Sequence, residues 1–185
     1  LSVLIAIAVV WPLLGIEVPS LRRDIGWAAV GLSNWSTISG GGDYWARFGE
    51  PSPVTHYWSL AIEEQFYLVW PLVLLAIIAV TRSVRRVVAS VCVAGAIVSI
   101  VLMNLMFDPI DPTATYMNTF ARVHTLLIGA AAGAMTMVLA DGHLRFGRIA
   151  RRMAPIATVV ALAIMFASSE ASTWLFRWGF PLFAA

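Results

Sequence analysis

Residues 56–71 read HYWSLAIEEQFYLVWP. This segment opens an apolar run, from about Tyr57 to Val80, that is long enough to cross a bilayer as a helix. Within the run, Glu63 and Glu64 place two adjacent carboxylates at membrane depth, where one ionisable group costs from roughly 2.5 to more than 10 kcal/mol. We therefore expect a membrane protein in which at least one of these carboxylates has a functional role.

The composition agrees with a membrane chain. Apolar residues make up 60% of the sequence and charged residues 12%, and the mean hydropathy is +0.84. These values predict an all-α fold, a polytopic transmembrane helix bundle, rather than a soluble globular domain. The single cysteine, Cys92, excludes an intrachain disulfide. All basic residues are arginines in short clusters between apolar runs, so we predict the lipid bilayer as a partner and no nucleic acid.

The apolar runs predict about six membrane spans and the start of a seventh. They lie at about 1–18, 25–38, 57–80, 87–107, 115–139 and 155–168, and the seventh begins near Trp178. Arginine clusters occupy every second connection, at 22–23, 82–86 and 145–152, and basic loops stay cytoplasmic. The loop at 39–55 is therefore predicted to be extracytoplasmic.

No linker divides the chain, so residues 1–185 are interpreted as part of one membrane-embedded domain. The sequence begins inside an apolar run, without a leading methionine. We therefore expect an internal fragment whose N-terminal helices and C-terminal part are missing.

The helix that begins at Tyr57 carries a polar stripe. Residues three, four and seven apart share a face, which aligns His56, Ser59, Glu63 and Tyr67. One interpretation is that the carboxylates are solvated at the interface or paired with an arginine to fix helix packing. The other, which we favour, is a polar site in which Glu63 orients a histidine or accepts a proton from a hydroxyl. Glu64 is more typical of a structural residue.

A second polar insertion lies in the fifth predicted span. Arg122 has no carboxylate near it on its own helix, and Glu63 or Glu64 would lie at a similar depth. A structural ion pair and an anion-binding arginine both remain open. His124 is interpreted as a satisfied polar residue rather than a ligand. The three histidines lack metal-ligand spacing, so no metal site is predicted.

Residues 56–71 resemble the signature of the acyltransferase-3 family, which reads approximately His-x-Trp-Ser-Leu-x-x-Glu-x-Gln-Phe-Tyr-x-x-Trp-Pro. The segment Leu32-Ser33-Asn34-Trp35 resembles the family's Asn-Trp, and Thr119 to Gly129 resembles its Thr-Arg-x-x-x-Leu-Leu-x-Gly. The resemblance implies a multi-pass O-acyltransferase of the cell membrane. It would move an acyl group, usually acetyl, from acyl-CoA to a hydroxyl of a sugar or glycan, with no bound cofactor beyond that donor.

The resemblance also implies roles for individual residues. Glu63 and His56 would be catalytic. Arg122, Ser59 and Tyr67 would belong to the same polar site and bind substrate. We expect Glu64 to assist in substrate binding, although its position varies in the family. The family's first helix carries an arginine and a histidine that this sequence does not include, so we expect the fragment alone to be inactive.

One rival function is a proton-coupled membrane transporter, in which Glu63, Glu64 and Arg122 form a relay. A transporter of that kind predicts internal repeats, and we find none. A purely structural membrane subunit would leave the intramembrane carboxylates without a purpose.

Overall fold

The described part of the chain is helical. The computed structural model describes residues 2–15, 20–40 and 52–138, with residues 155, 156, 158–160 and 179. Eight helices and no β-strand occur in these ranges, so the all-α prediction is confirmed for them. The helices are α1 Ser2–Leu13, α2 Leu21–Ala29, α3 Ser33–Ser39, α4 Tyr57–Val80, α5 Val84–Met106, α6 Thr113–Met117, α7 Thr119–Arg122 and α8 His124–Val138.

Two described helices, α4 and α5, are long and apolar enough to cross a membrane. The bounds of α4 are those predicted from its apolar run, and α5 lies within three residues of its prediction. Much of the apolar surface of α4 lies outside the protein core; Leu68, for example, is 74% exposed. A helix that is apolar on all sides belongs in a core or in lipid. Helices α1 and α8 are apolar but shorter.

The prediction of a second span at 25–38 is wrong. Two short helices, α2 and α3, replace it, joined by a turn at Gly31, whose φ of 67° lies in the left-handed region. Helices α2 and α3 line one cavity together with Ser52, Val54 and Thr55. Arg23 therefore lies beside the segment that leads into α4, although the alternation of arginine clusters predicted opposite sides of the membrane.

The fifth predicted span, at 115–139, is also not one helix. It is divided into α6, α7 and α8 by Asn118 and Val123. Asn118 has an extended backbone (ψ 126°), and its Oδ1 accepts hydrogen bonds from the backbone N–H groups of Phe120 (2.8 Å) and Ala121 (3.3 Å). Asparagine competes with helical hydrogen bonds in this way, so the break results from its side chain.

The main core lies between α4, α5 and α8. Its buried members are Ile77, Val88, Cys92, Ala96, Leu127 and Ala131. Helices α5 and α8 run antiparallel, because Ser99 contacts His124 while Gly95 lies opposite Leu127. A Cβ atom at Gly95 would lie 3.0 Å from Leu127 Cδ1. A small residue at this position therefore lets the two helices approach closely.

Several predictions fall on other parts of the chain. The centre of the 39–55 loop, the arginine cluster at 145–152 and the start of a seventh span at Trp178 lie outside the described residues. Of the predicted sixth span, residues 155, 156 and 158–160 are described, and they are helical.

Candidate active site

A cavity of about 120 Å³ lies between α4 and the α7–α8 junction. Its walls are formed by Trp58, Ser59, Ile62, Glu63, Arg122, Thr125 and Leu126. Ser59 and Glu63 are one helical turn apart and so share a face of α4. Three of the six residues predicted for the site therefore meet here: Glu63, Ser59 and Arg122. Glu63, rather than Glu64, is the carboxylate that faces the same space as Arg122.

Aromatic side chains hold Arg122 at the cavity wall. The guanidinium carbon Cζ lies 5.0 Å from the centroid of the Tyr116 ring, within the range of a cation–π contact. Tyr116 packs in turn on Trp58, with ring centroids 4.7 Å apart. The break before α7 makes this possible, since Tyr116 belongs to α6 and Arg122 to α7. The cavity thus has a carboxylate, a hydroxyl and an oriented guanidinium on its walls.

The other three predicted site residues do not line this cavity. His56 is an exposed residue at the N-cap of α4, and its backbone carbonyl accepts a hydrogen bond from Ser59 Oγ (3.2 Å). Tyr67 is 60% exposed and makes an edge contact with Phe66. Glu64 lies against Gly31 on another side of α4. Their catalytic and substrate-binding roles stay predictions.

Gln65 is the centre of a hydrogen-bond network that the sequence did not predict. Its Nε2 donates to Gly31 O (2.8 Å) and to Asn34 Oδ1 (2.9 Å). Its Oε1 accepts from Thr119 Oγ1 (2.7 Å) and from Trp35 Nε1 (3.3 Å). Every polar atom of the amide is used. Gln65 therefore ties α4 to α3 on one side and to α7 on the other.

Asn34 completes the same network. It is fully buried, and its Nδ2 donates to Met117 O (3.0 Å) and Thr119 Oγ1 (2.9 Å). Gln65 lies two residues after Glu63, and Thr119 lies three residues before Arg122. The network therefore sets the spacing of the two helices that carry the charged cavity groups. One sequence signal pointed to it: a glutamine inside an apolar helix must find hydrogen-bond partners.

His124 joins α5 to the α7–α8 junction. It is fully buried, its backbone N–H donates to Ser99 Oγ (3.1 Å), and its Nδ1 lies 3.0 Å from Ala121 O. Its Nε2 has no hydrogen-bond partner among the described residues. The bonds of the backbone N–H and of Nδ1 are those of a structural residue. The interpretation of a satisfied side chain holds for Nδ1 but not for Nε2. In the described ranges, no three His, Cys, Asp or Glu side chains are grouped so that they could hold a metal ion.

Proteins similar to this chain are enzymes that transfer acetyl groups. The peptidoglycan O-acetyltransferase OatA of Listeria monocytogenes is 36% identical over 113 residues, and the O-acetyltransferase OatA of Staphylococcus aureus is 35% identical over 109 residues. YrhL of Bacillus subtilis, named for the same activity, is 40% identical over 101 residues. The chain is thus similar over these segments to proteins named as O-acetyltransferases, the activity that the resemblance of residues 56–71 implied.

The similarity covers part of each molecule. The aligned segments are 54–60% of this chain and 16–18% of the length of these relatives. No protein-family model and no solved structure matches the chain. Because the relatives are acetyltransferases, the transporter alternative is not favoured.

Proposed function

We propose that this chain is part of a membrane O-acyltransferase that moves an acetyl group from acetyl-CoA to a hydroxyl of a glycan, with peptidoglycan as the acceptor class. The observation that carries this proposal is the cavity in which Glu63 and Arg122 meet. The names of the related proteins support it, since they specify O-acetylation and, for two of them, peptidoglycan.

The cavity groups suit acyl transfer. In this reaction the glycan hydroxyl oxygen attacks the thioester carbonyl carbon and the carbon–sulfur bond breaks. The hydroxyl loses its proton, and the CoA sulfur leaves as a thiolate that a proton neutralises. Glu63 would accept the hydroxyl proton or orient a histidine base that accepts it. Arg122 would stabilise the negative charge that develops on the carbonyl oxygen, and Ser59 would position the acceptor.

The same proposal places the chain in the cell membrane as a multi-pass protein. Helices α4 and α5 have the length and composition of spans, and the cluster Arg82, Arg85 and Arg86 between them marks the cytoplasmic side. Tyr57 would then lie toward the outside. Glu63 would be roughly 9 Å deeper along the helix axis, which a polar cavity can reach from the surface that faces the cell wall.

The replacement Glu63→Gln tests this function in the complete protein, expressed in a bacterium whose own peptidoglycan O-acetyltransferase is deleted. Loss of a general base lowers a rate by about 10²–10⁴-fold. We expect ester-linked acetate, released from purified peptidoglycan by mild base, to fall by at least ~100-fold. Unchanged ester content, with the variant present in the membrane, would contradict the role of Glu63.

Asp111→Asn is the matched control. It removes the same charge from an exposed residue that lines neither described cavity, and asparagine retains the oxygen that accepts a hydrogen bond from the Thr113 N–H. We expect this variant to acetylate peptidoglycan like the unmodified protein.

A further inference from the structure

A second cavity, of about 210 Å³, lies where α2, α3 and the segment before α4 meet. Hydroxyl groups dominate its wall, from Ser20, Ser33, Ser36, Thr37, Ser52 and Thr55. A hydroxyl both donates and accepts hydrogen bonds. A wall of this kind therefore matches a ligand that is itself rich in hydroxyls.

Two of these hydroxyls are not used by the described fold. Ser33 and Ser52 are 9% and 7% exposed, and their Oγ atoms have no hydrogen-bond partner among the described residues. A buried hydroxyl without a partner costs about 1–3 kcal/mol, and most buried polar groups avoid this cost. Because both serines line the same cavity, one bound molecule can complete the hydrogen bonding of both.

The remaining wall groups indicate the charge and shape of that molecule. Arg23 Nε lies 3.7 Å from Asp24 Oδ1, as an ion pair. Ser20 Oγ donates a hydrogen bond to Asp24 Oδ2 (2.7 Å). The pair leaves no net charge on the wall, which favours a neutral ligand. Trp27, 40% exposed, adds an aromatic surface to the same wall. An indole combines an apolar face with a polar N–H, and the C–H groups of a sugar ring pack on such a face.

We propose that this cavity binds one sugar residue of the glycan acceptor, an inference that rests on the proposed function. The cavity is placed to do so. Thr55 lines it, while Trp58 lines the cavity that contains Glu63. Three residues of chain span at most about 11 Å. A sugar held by Ser33 and Ser52 thus leaves a neighbouring ring of the same glycan within reach of the acyl-transfer cavity.

Ser33→Ala and Ser52→Ala test the sugar site in the complete protein, purified into lipid nanodiscs and supplied with acetyl-CoA and muramidase-released peptidoglycan oligosaccharides. Each replacement removes a hydroxyl that bonds no described protein group, so the thermal unfolding midpoint should not fall. Loss of one hydrogen bond to the sugar should raise KM for the oligosaccharide about 3- to 10-fold, with kcat retained.

Ser39→Ala is the control variant. Ser39 is an exposed serine of α3 that donates to Ser36 O (3.3 Å) and lies outside the cavity lining. Its replacement should leave KM unchanged. If Ser33→Ala and Ser52→Ala also keep the wild-type KM, the sugar site is wrong, while acetyl transfer by all the variants leaves the enzyme proposal intact. A lower unfolding midpoint without a change in KM assigns the two hydroxyls to protein stability and likewise overturns the site.

A binding measurement separates the two proposals. A fluorescently labelled peptidoglycan oligosaccharide is titrated with the same nanodisc proteins, without acetyl-CoA. Binding that is weakened in both serine variants, in a protein that transfers no acetyl group, would support the sugar site and overturn the proposed enzyme. If the unmodified protein neither binds the oligosaccharide nor transfers acetyl groups, both proposals are overturned.

Discussion

Glu63, Glu64 and Gln65 are adjacent in sequence but serve three different parts of the molecule. Successive residues of an α-helix point about 100° apart, because 3.6 residues complete a turn. Glu63 consequently faces the cavity that contains Arg122, Glu64 lies against Gly31, and Gln65 bonds α3 and α7. The polar cluster that marked this helix as functional therefore combines one candidate catalytic group with a structural one.

Gln65→Leu tests the structural role. The leucine fits an apolar helix but leaves Gly31 O, Asn34 Oδ1 and Trp35 Nε1 without the partner that Gln65 provides. Each buried polar group left unsatisfied costs about 1–3 kcal/mol. We expect the free energy of unfolding, measured by titration with a denaturing detergent, to fall by at least about 3 kcal/mol, because three polar groups lose their partner. A loss as small as that of Glu64→Gln, at an exposed position, would show that the network contributes little.

The sequence predicted part of the site at this scale. Glu63 and Arg122 share a cavity as expected, because charges at one depth in an apolar chain have few other places to meet. His56 and Tyr67 share the predicted helical stripe with Glu63, yet neither lines that cavity. Helical spacing fixes which residues share a face, whereas the position of α7 decides how far along that face the cavity extends. Asn34 and Thr119 bond across a separation of 85 residues, for which no local pattern exists.

At the scale of elements, Gly31 determines how α2 turns into α3. Its positive φ is a conformation that costs residues with a side chain about 1–2 kcal/mol. A Cβ atom there would also lie 2.9 Å from Glu64 Oε2, but this is the end of a flexible, exposed side chain that can move aside, so the positive φ determines the cost. Gly31→Ala is therefore expected to lower the free energy of unfolding by at least ~1 kcal/mol.

Gly26→Ala is the matched comparison on α2. A Cβ atom at Gly26 meets no atom within 4 Å, and its φ is not positive. Alanine favours a helix interior over glycine by up to about 1 kcal/mol, so this variant should be slightly more stable than the unmodified chain. The same detergent titration measures both variants, and equal effects at the two glycines would refute the role given to the turn.

The bounds of the long helices α4 and α5 were predictable from the sequence, whereas the breaks within the predicted spans were not. The apolar run alone set both ends of α4, because a bilayer demands a certain length of apolar helix. The breaks at Gly31 and Asn118 interrupt the two stretches that were predicted as the second and fifth spans. Tertiary hydrogen bonds stabilise both breaks in addition to the local cap by the Asn118 side chain: Gly31 O is bonded by Gln65, and the Met117 carbonyl before Asn118 is bonded by Asn34.

At the scale of the whole molecule, the shared cavity of α2, α3 and residues 52–55 changes the expected topology. Arg22 and Ser39 should lie on the same side of the membrane, and Ser83 should lie on the other side because α4 separates them. An impermeant maleimide applied to intact cells should label Arg22→Cys and Ser39→Cys, and Ser83→Cys only after permeabilisation. The native Cys92 is fully buried and gives little background.

All three positions are exposed, so labelling reports the side of the membrane rather than burial. If Arg22→Cys, like Ser83→Cys, is labelled only after permeabilisation while Ser39→Cys is labelled in intact cells, the alternating topology predicted from the arginine clusters is correct. That result would also separate Arg23 from Ser52 and so remove the proposed sugar cavity.

The bonded set Asn34, Gln65 and Thr119 has a consequence for evolution. Each of the three side chains is hydrogen-bonded to the other two. A change at one position therefore leaves polar atoms at the other positions without a partner. The effects of substitutions at such positions on the free energy of unfolding are coupled rather than additive. Among related proteins we expect the three residues to be replaced jointly, for example by apolar side chains at all three, and seldom one at a time. The three positions would then change together in evolution, as one unit.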